Sequence, residues 1–140
     1  MNNTFPYLLQ RCKNDPEFYI SNFLHIRPKG KPSQLFIPNF PQRIVLEILK
    51  KDIKERRPER YIICKNRQVG MSTLSEGLVF EYTTLNPSFH SYLVAPEREK
   101  AQELFRISQL FYDKLPSEMK PMKWHRTKNY FIFENPNEKT

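Results

Sequence analysis

Hydrophobic positions along the chain fall into blocks of two kinds, and proline closes several of them. From Pro41, the apolar residues Ile44, Val45, Ile48, Leu49 and Ile53 recur at helical spacing, with charges mostly on the other side. That pattern predicts an amphipathic helix opened by Pro41 and ended by Pro58. Tyr61-Ile62-Ile63-Cys64 is instead an unbroken apolar run, as expected of a strand buried on both faces. A polar loop, Lys65 to Gly70, leads into a second helix over Met71 to Leu85, closed by Asn86-Pro87. Phe89 to Ala95 predicts a second strand, ended by Pro96. A third helix follows, with Ala101, Leu104, Phe105, Ser108, Phe111 and Leu115 on its inner side. Tyr130-Phe131-Ile132-Phe133 predicts a third strand.

The first forty residues are rich in aromatics and broken by prolines. Asp15-Pro16-Glu17 reads as a helix start, with Pro in the first turn and acids at the positive end of the dipole. Phe18, Tyr19, Asn22 and Phe23 then lie close to one face. Arg27 to Pro32 is a loop on its turn signals, and Leu35-Phe36-Ile37 a short extended piece. Strand, loop, helix, strand, helix is the order of an α/β domain with a parallel sheet and flanking helices. Such a sheet needs more strands than the chain supplies. The expected organisation is therefore a helical lead-in over residues 1–40 and an incomplete α/β domain over 41–140.

Composition narrows the class. With 140 residues the chain has room for one domain and not two full ones. Hydrophobic residues make up 39% and charged ones 27%, as in globular proteins, and no apolar run approaches the ~20 residues that span a bilayer. No signal peptide is visible from Met1 to Pro6, so residence inside a cell is the expectation. Cys12 and Cys64 lack metal-site spacing; Cys64 reads as a small buried hydrophobe, and a cytosolic disulfide is not expected. His25, His90 and His125 are scattered and suggest no metal site. The net charge of +8 suggests a polyanionic partner, leaving DNA, RNA and nucleotide open. Lys50-Lys51, Lys54 and Arg56-Arg57 read as a solvated helix face, and Trp124 among Lys120, Lys123, Arg126 and Lys128 as an exposed basic loop.

The chemistry concentrates in Tyr61 to Thr73, YIICKNRQVGMST. An apolar strand, a polar loop and a helix opened by Ser and Thr form the arrangement in which backbone N–H groups and a helix N-terminus hold phosphates. The usual phosphate loop is G-x-x-x-x-G-K-[ST]. Here Gly70 and Ser72 occupy the final Gly and the metal-binding hydroxyl positions, while Lys65 stands at the first Gly and Met71 at the usual Lys. Lys65 or Arg67 would supply the displaced positive charge. The competing reading is a surface loop whose cations are merely solvated. Upstream, the amide of Gln42 suits the donor–acceptor edge of adenine, with Phe36 and Phe40 as stacking surfaces. Equally, both Phe could be core residues and Gln42 an ordinary first-turn residue.

A basic residue followed by R-Q-x-G-x-S-T after an apolar strand closely resembles the deviant Walker A loop of viral (bacteriophage) large terminase subunits. Other stretches agree in order: residues 15–23 with the entry helix, Phe36 to Gln42 (FIPNFPQ) with a helicase-like Q motif, Ser91 to Phe105 with the unit after the phosphate loop, and Phe131 to Asn135 (FIFEN) with a later strand. The resemblance implies a partial P-loop NTPase domain that binds ATP and Mg²⁺ through Lys65, Asn66, Arg67, Gln68, Val69, Gly70, Met71, Ser72 and Thr73, with Gln42 and Phe40 at the adenine and Ser72 on the metal. It further implies a DNA-packaging motor in the host cell cytoplasm, working on double-stranded DNA with a portal protein, a small terminase subunit and a self-assembled ring, and no membrane.

Hydrolysis in this class needs an acidic pair after a later strand. The sole candidate, Glu134, has no Asp before it and reads as something other than the catalytic base. A nuclease carboxylate cluster is also missing, so nucleotide binding without efficient turnover is expected. A helicase-like translocase fragment would share the same motifs. A non-catalytic basic DNA-binding or assembly module is the rival from another class.

Overall fold

The computed structural model describes residues 4–127 and 129–133. Helices α1 (Thr4–Asn14) and α2 (Pro16–Phe23) open the chain, followed by the short strands β1 (His25–Ile26) and β2 (Gln34–Leu35). Helices α3 (Phe40–Glu55), α4 (Met71–Leu85) and α5 (Arg98–Lys114) form the bulk. A 3-10 turn (Ser117–Met119) and the strands β3 (Lys123–Arg126) and β4 (Phe131–Phe133) follow. Both strand pairs, β1–β2 and β3–β4, are antiparallel. The chain thus mixes α and β structure, with helices dominant.

The helices begin where their caps dictate. Asp15 accepts a hydrogen bond from Phe18 N at 3.2 Å, Pro16 fills the first turn, and Glu17 adds charge at the positive end of α2. Asn39 caps α3 through a reciprocal pair with Gln42. Helix α3 ends at Arg56, whose left-handed φ of 54° lets Arg57 N reach Asp52 O at 2.9 Å. Its buried stripe is Gln42, Leu46 and Leu49, whereas Ile44 and Ile48 are half-exposed, so the helix is rotated from the face expected of it. Lys50, expected as part of a solvated face, donates to Glu17 Oε2 at 2.8 Å and ties α3 to α2.

Helix α4 lies at the centre. Leu74 and Phe80 are buried with Ile20, Leu24, Phe36, Leu46 and Phe111 in one cluster. A Cβ on Gly77 would lie 3.4 Å from Leu24 Cδ1 and 3.6 Å from Phe36 Cε1, so α4 approaches α2 and Phe36 closely. Phe36 N donates to Leu24 O at 2.8 Å, which continues the β1–β2 pairing and drives the Phe36 ring into the core. That ring stacks on Phe111 at 6.5 Å, and Phe80 meets Phe111 edge-on at 5.6 Å.

Two expected strands are absent as strands. Tyr61–Cys64 and Phe89–Ala95 run without regular secondary structure, and among the described residues no backbone ladder reaches them. Side chains hold them instead: Tyr61 OH donates to Asp52 at 2.6 Å, and the Thr83 and Ser91 hydroxyls lie 2.6 Å apart. A strand is buried only when neighbours cover it, so Ile62 is 96% exposed and Val94 90%. The expected parallel sheet with flanking helices is therefore not formed among the described residues. Cys64 is exposed for the same reason, and it is Cys12, on α1, that is buried. Lys123–Arg126, expected to be loop, is a strand paired with β4. Lys128, Glu134 and Asn135 lie outside the described residues.

Two carboxylic acids of α4 are buried on different sides. Ser108 Oγ of α5 donates to Glu76 Oε1, while among the described residues Glu76 Oε2 has no hydrogen-bond partner. Glu81 Oε2 is likewise unpartnered. Burial, reinforced by the nearby Glu59 charge and opposed by Lys13, pushes Glu81 up to about 8. Because the folded state holds this proton more tightly, the stability that Glu81 contributes is full below its ordinary value of 4.5 and lost as pH rises through about 8. Thermal unfolding at pH 5 and pH 8.5 should therefore show a drop for the native chain on the order of a few kcal/mol. Glu81→Gln should flatten that difference; an unchanged pH dependence in the variant would reject the assignment.

Candidate functional site

The loop from Lys65 to Gly70 is shaped from its C-terminal end. Gln68 (φ 64°) and Gly70 (φ 72°) are both left-handed, which folds the chain sharply before α4 begins. Gly70 serves as the N-cap residue of α4 and offers no side-chain hydrogen bond to the first turn. The first helical bond runs from Leu74 N to Gly70 O at 3.1 Å, so the N–H groups of Met71, Ser72 and Thr73 lack acceptors within the helix. Three convergent donors at the positive end of a helix dipole favour an anion.

The carbonyl side of the loop is held by α3. Asn39 Nδ2 donates to Val69 O at 3.2 Å, and Gln42 Nε2 donates to Gly70 O at 2.7 Å. The same two residues form the α3 capping box: Asn39 N donates to Gln42 Oε1 at 2.9 Å, and Gln42 N to Asn39 Oδ1 at 3.1 Å. One pair of side chains thus starts a helix and clamps a loop some thirty residues further on. The Val69 and Gly70 carbonyls are thereby taken up by α3 side chains.

The expected site residues divide into three sets. Lys65, Asn66, Arg67, Gln68 and Ser72 are exposed, and Thr73 is half-buried. Met71, at the position where a phosphate-binding Lys usually stands, is 6% exposed and packs into the core. Gln42 is 3% exposed with its amide turned to Asn39 and Gly70, and Phe40 is 77% exposed at the start of α3. Phe36, the other stacking candidate, is core. The structure therefore brings Gln42 against Val69–Gly70. It does not seat the loop at the end of a sheet strand. Asn39 was not singled out from sequence, although an Asn three residues before a Gln at a helix start is a readable capping signal. Among the described residues no group of three or more His, Cys, Asp or Glu side chains converges.

A cavity of about 410 Å³ lies away from the loop, between α4, α5, Ser91–Leu93 and β4. Phe80, Phe105 and Phe133 wall it, with Glu76 and Ser108 among the polar groups.

Compared with models of protein families the chain matches none, and no curated protein is significantly similar to it in sequence.

The clamp makes a direct prediction. Gln42→Ala removes the Gly70 contact and half of the capping box, at a cost of about 1–3 kcal/mol. Amide exchange over Val69–Leu74 should accelerate more than exchange in α5. If protection is lost equally in both, Gln42 supports the fold in general and does not hold the loop.

Proposed function

We propose that Lys65–Thr73 is the phosphate-binding loop of an ATP site and that the chain is the nucleotide-binding part of a viral DNA-packaging motor of the large terminase type. The observation that carries this reading is the Asn39–Gln42 clamp on Val69 and Gly70. The two stretches that resemble a Q motif and a deviant Walker A loop are distant in sequence and bonded in space.

In this reading the phosphates rest on the Met71, Ser72 and Thr73 N–H groups. Lys65 and Arg67, both exposed beside the loop, supply the cations that Met71 cannot. The Ser72 hydroxyl is exposed at the helix start and would join a magnesium ion that arrives with the phosphates. Phe40 presents an exposed ring for the base, while Gln42 is buried with its amide bonded to Asn39 and Gly70 and so acts here through the loop it holds. In this reading Tyr61–Cys64 and Phe89–Ala95 would be strands of a partial P-loop sheet; their apolar sequence favours that assignment, whereas neither segment is laddered among the described residues. In the whole motor, hydrolysis would drive double-stranded DNA into a capsid in the host cytoplasm, with a portal protein, a small subunit and a ring of copies as partners.

Titration of the chain with a fluorescent ATP analogue and Mg²⁺ tests the reading. Lys65→Ala and Arg67→Ala should each weaken binding about tenfold, equivalent to ~1.4 kcal/mol, with the fold intact by circular dichroism. Unchanged affinity in both variants, or no binding by the folded native chain, would reject it.

A further inference from the structure

On the far side of the first turn of α4, β1 packs against α5 and leaves a cavity of about 310 Å³. Its lining is Ile26, Arg27, Thr73, Arg106, Ile107 and Leu110. Arg27 leaves the end of β1, Arg106 stands on α5, and Thr73 belongs to the first turn of α4. The two Arg side chains line one cavity from separate elements, and no acid is part of the lining. Among the described residues neither Arg has an ion-pair or hydrogen-bond partner, whereas Arg43 and Arg57 pair with Glu17 and Glu55. Ile26, Ile107 and Leu110 make the rest of the lining largely apolar, and apolar surroundings strengthen a charge interaction. Arg27 also opens the loop that carries Lys29 and Lys31, both exposed, so the mouth of the cavity adjoins a run of positive charge.

We propose that this cavity is a second anion site, in which Arg27, Arg106 and the Thr73 hydroxyl hold a phosphate group. Planar guanidinium forks match phosphate oxygens two at a time, and a hydroxyl completes the set as a neutral donor. The phosphate belongs either to the backbone of duplex DNA or to a free phosphate-bearing small molecule; the recognising chemistry is the same. The volume exceeds that of a bare phosphate, and the apolar wall suits the sugar face attached to one. The site shares Thr73 with the proposed phosphate loop, which would use its N–H rather than its hydroxyl, and uses neither Lys65 nor Arg67.

Two titrations on the full chain test this, with native protein, Arg27→Ala/Arg106→Ala, Arg27→Lys/Arg106→Lys and the control Lys51→Ala. In the first, a fluorescent twenty-base-pair duplex is titrated by anisotropy from about 50 to 200 mM KCl, where a phosphate contact contributes about one unit to the salt slope. In the second, inorganic phosphate is added while the Arg side-chain N–H resonances are followed. A DNA phosphate predicts about tenfold weaker duplex binding and a slope lower by one to two for the double Ala variant, partial recovery with Lys, and no effect at Lys51. A free phosphate predicts saturable shifts of two Arg resonances that vanish in the double Ala variant, with the duplex slope unaltered. The proposal is overturned if neither titration distinguishes the double Ala variant from native protein, or if Lys51→Ala matches it. ATP-analogue binding should be unchanged in the double Ala variant, so failure of this site and failure of the loop remain separable.

Discussion

Helix α4 is the constraint around which the described chain is arranged, because it buries residues on more than one side. Leu74 and Gly77 face α2 and Phe36, Glu76 meets Ser108 of α5, and Phe80 reaches Phe111. A helix buried so widely cannot be stabilised by an amphipathic stripe alone; each flanking helix must supply a complementary face. At Gly77 the packing is close enough that a Cβ would meet Leu24, Phe36 and Ile20 at ordinary contact distances of 3.4, 3.6 and 3.7 Å. The position of the loop then follows, since it is the segment that enters α4.

That arrangement carries an electrostatic cost. Glu76 and Glu81 each bury a carboxyl oxygen without a partner among the described residues, and burial raises both toward the neutral form. Ser108 relieves Glu76 in part by hydrogen bonding to its other oxygen. Glu81 receives less relief: Lys13 favours its charged form, while Glu59 opposes it. The α1 side of α4 is thus the more pH-sensitive, and the neighbouring Cys12 thiol is itself pushed up to about 11 by burial.

Much of the helical structure was legible. Asp15-Pro16-Glu17, Pro41 and Asn86-Pro87 mark real boundaries, because caps and proline act locally. Ser108, Phe111 and Leu115 are buried on α5, as their spacing implies. What failed depends on distant partners. The apolar run Tyr61–Cys64 says that a segment would be stable if covered, but nothing local says that a neighbour is present. The register of α3 was right only in part: Leu49 is buried and Val45 packs on the core as expected, but Leu46 is buried where Ile44 and Ile48 are exposed, and only the position of α2 decides which apolar residue faces inward. The β3–β4 hairpin was half-seen, since the β4 residues are apolar and β-prone whereas Lys123–Arg126 reads as charged loop. Of the site, the loop and Gln42 were legible as motifs. Their contact was not, because a hydrogen bond from Gln42 to Gly70 has no signature in either segment alone.

Gly70 shows how far motif reading carries. A phosphate loop wants glycine there so that backbone can turn and approach an anion. In this chain the same residue is required for a reason unconnected with any ligand. Its φ is 72°, and a Cβ would lie 2.8 Å from Gln42 Nε2, the atom that holds its own carbonyl. The glycine is therefore explained by the clamp, and its presence is no independent sign of phosphate. Met71 is explained in the same way by the core it enters. Packing leaves the exposed loop residues Lys65, Asn66, Arg67 and Gln68 unexplained, and two of them are cations that precede the uncapped start of α4 in the chain. In the proposed phosphate loop the Asn39–Gln42 clamp supplies the geometry, and Lys65, Arg67 and the uncapped start of α4 would supply the charge.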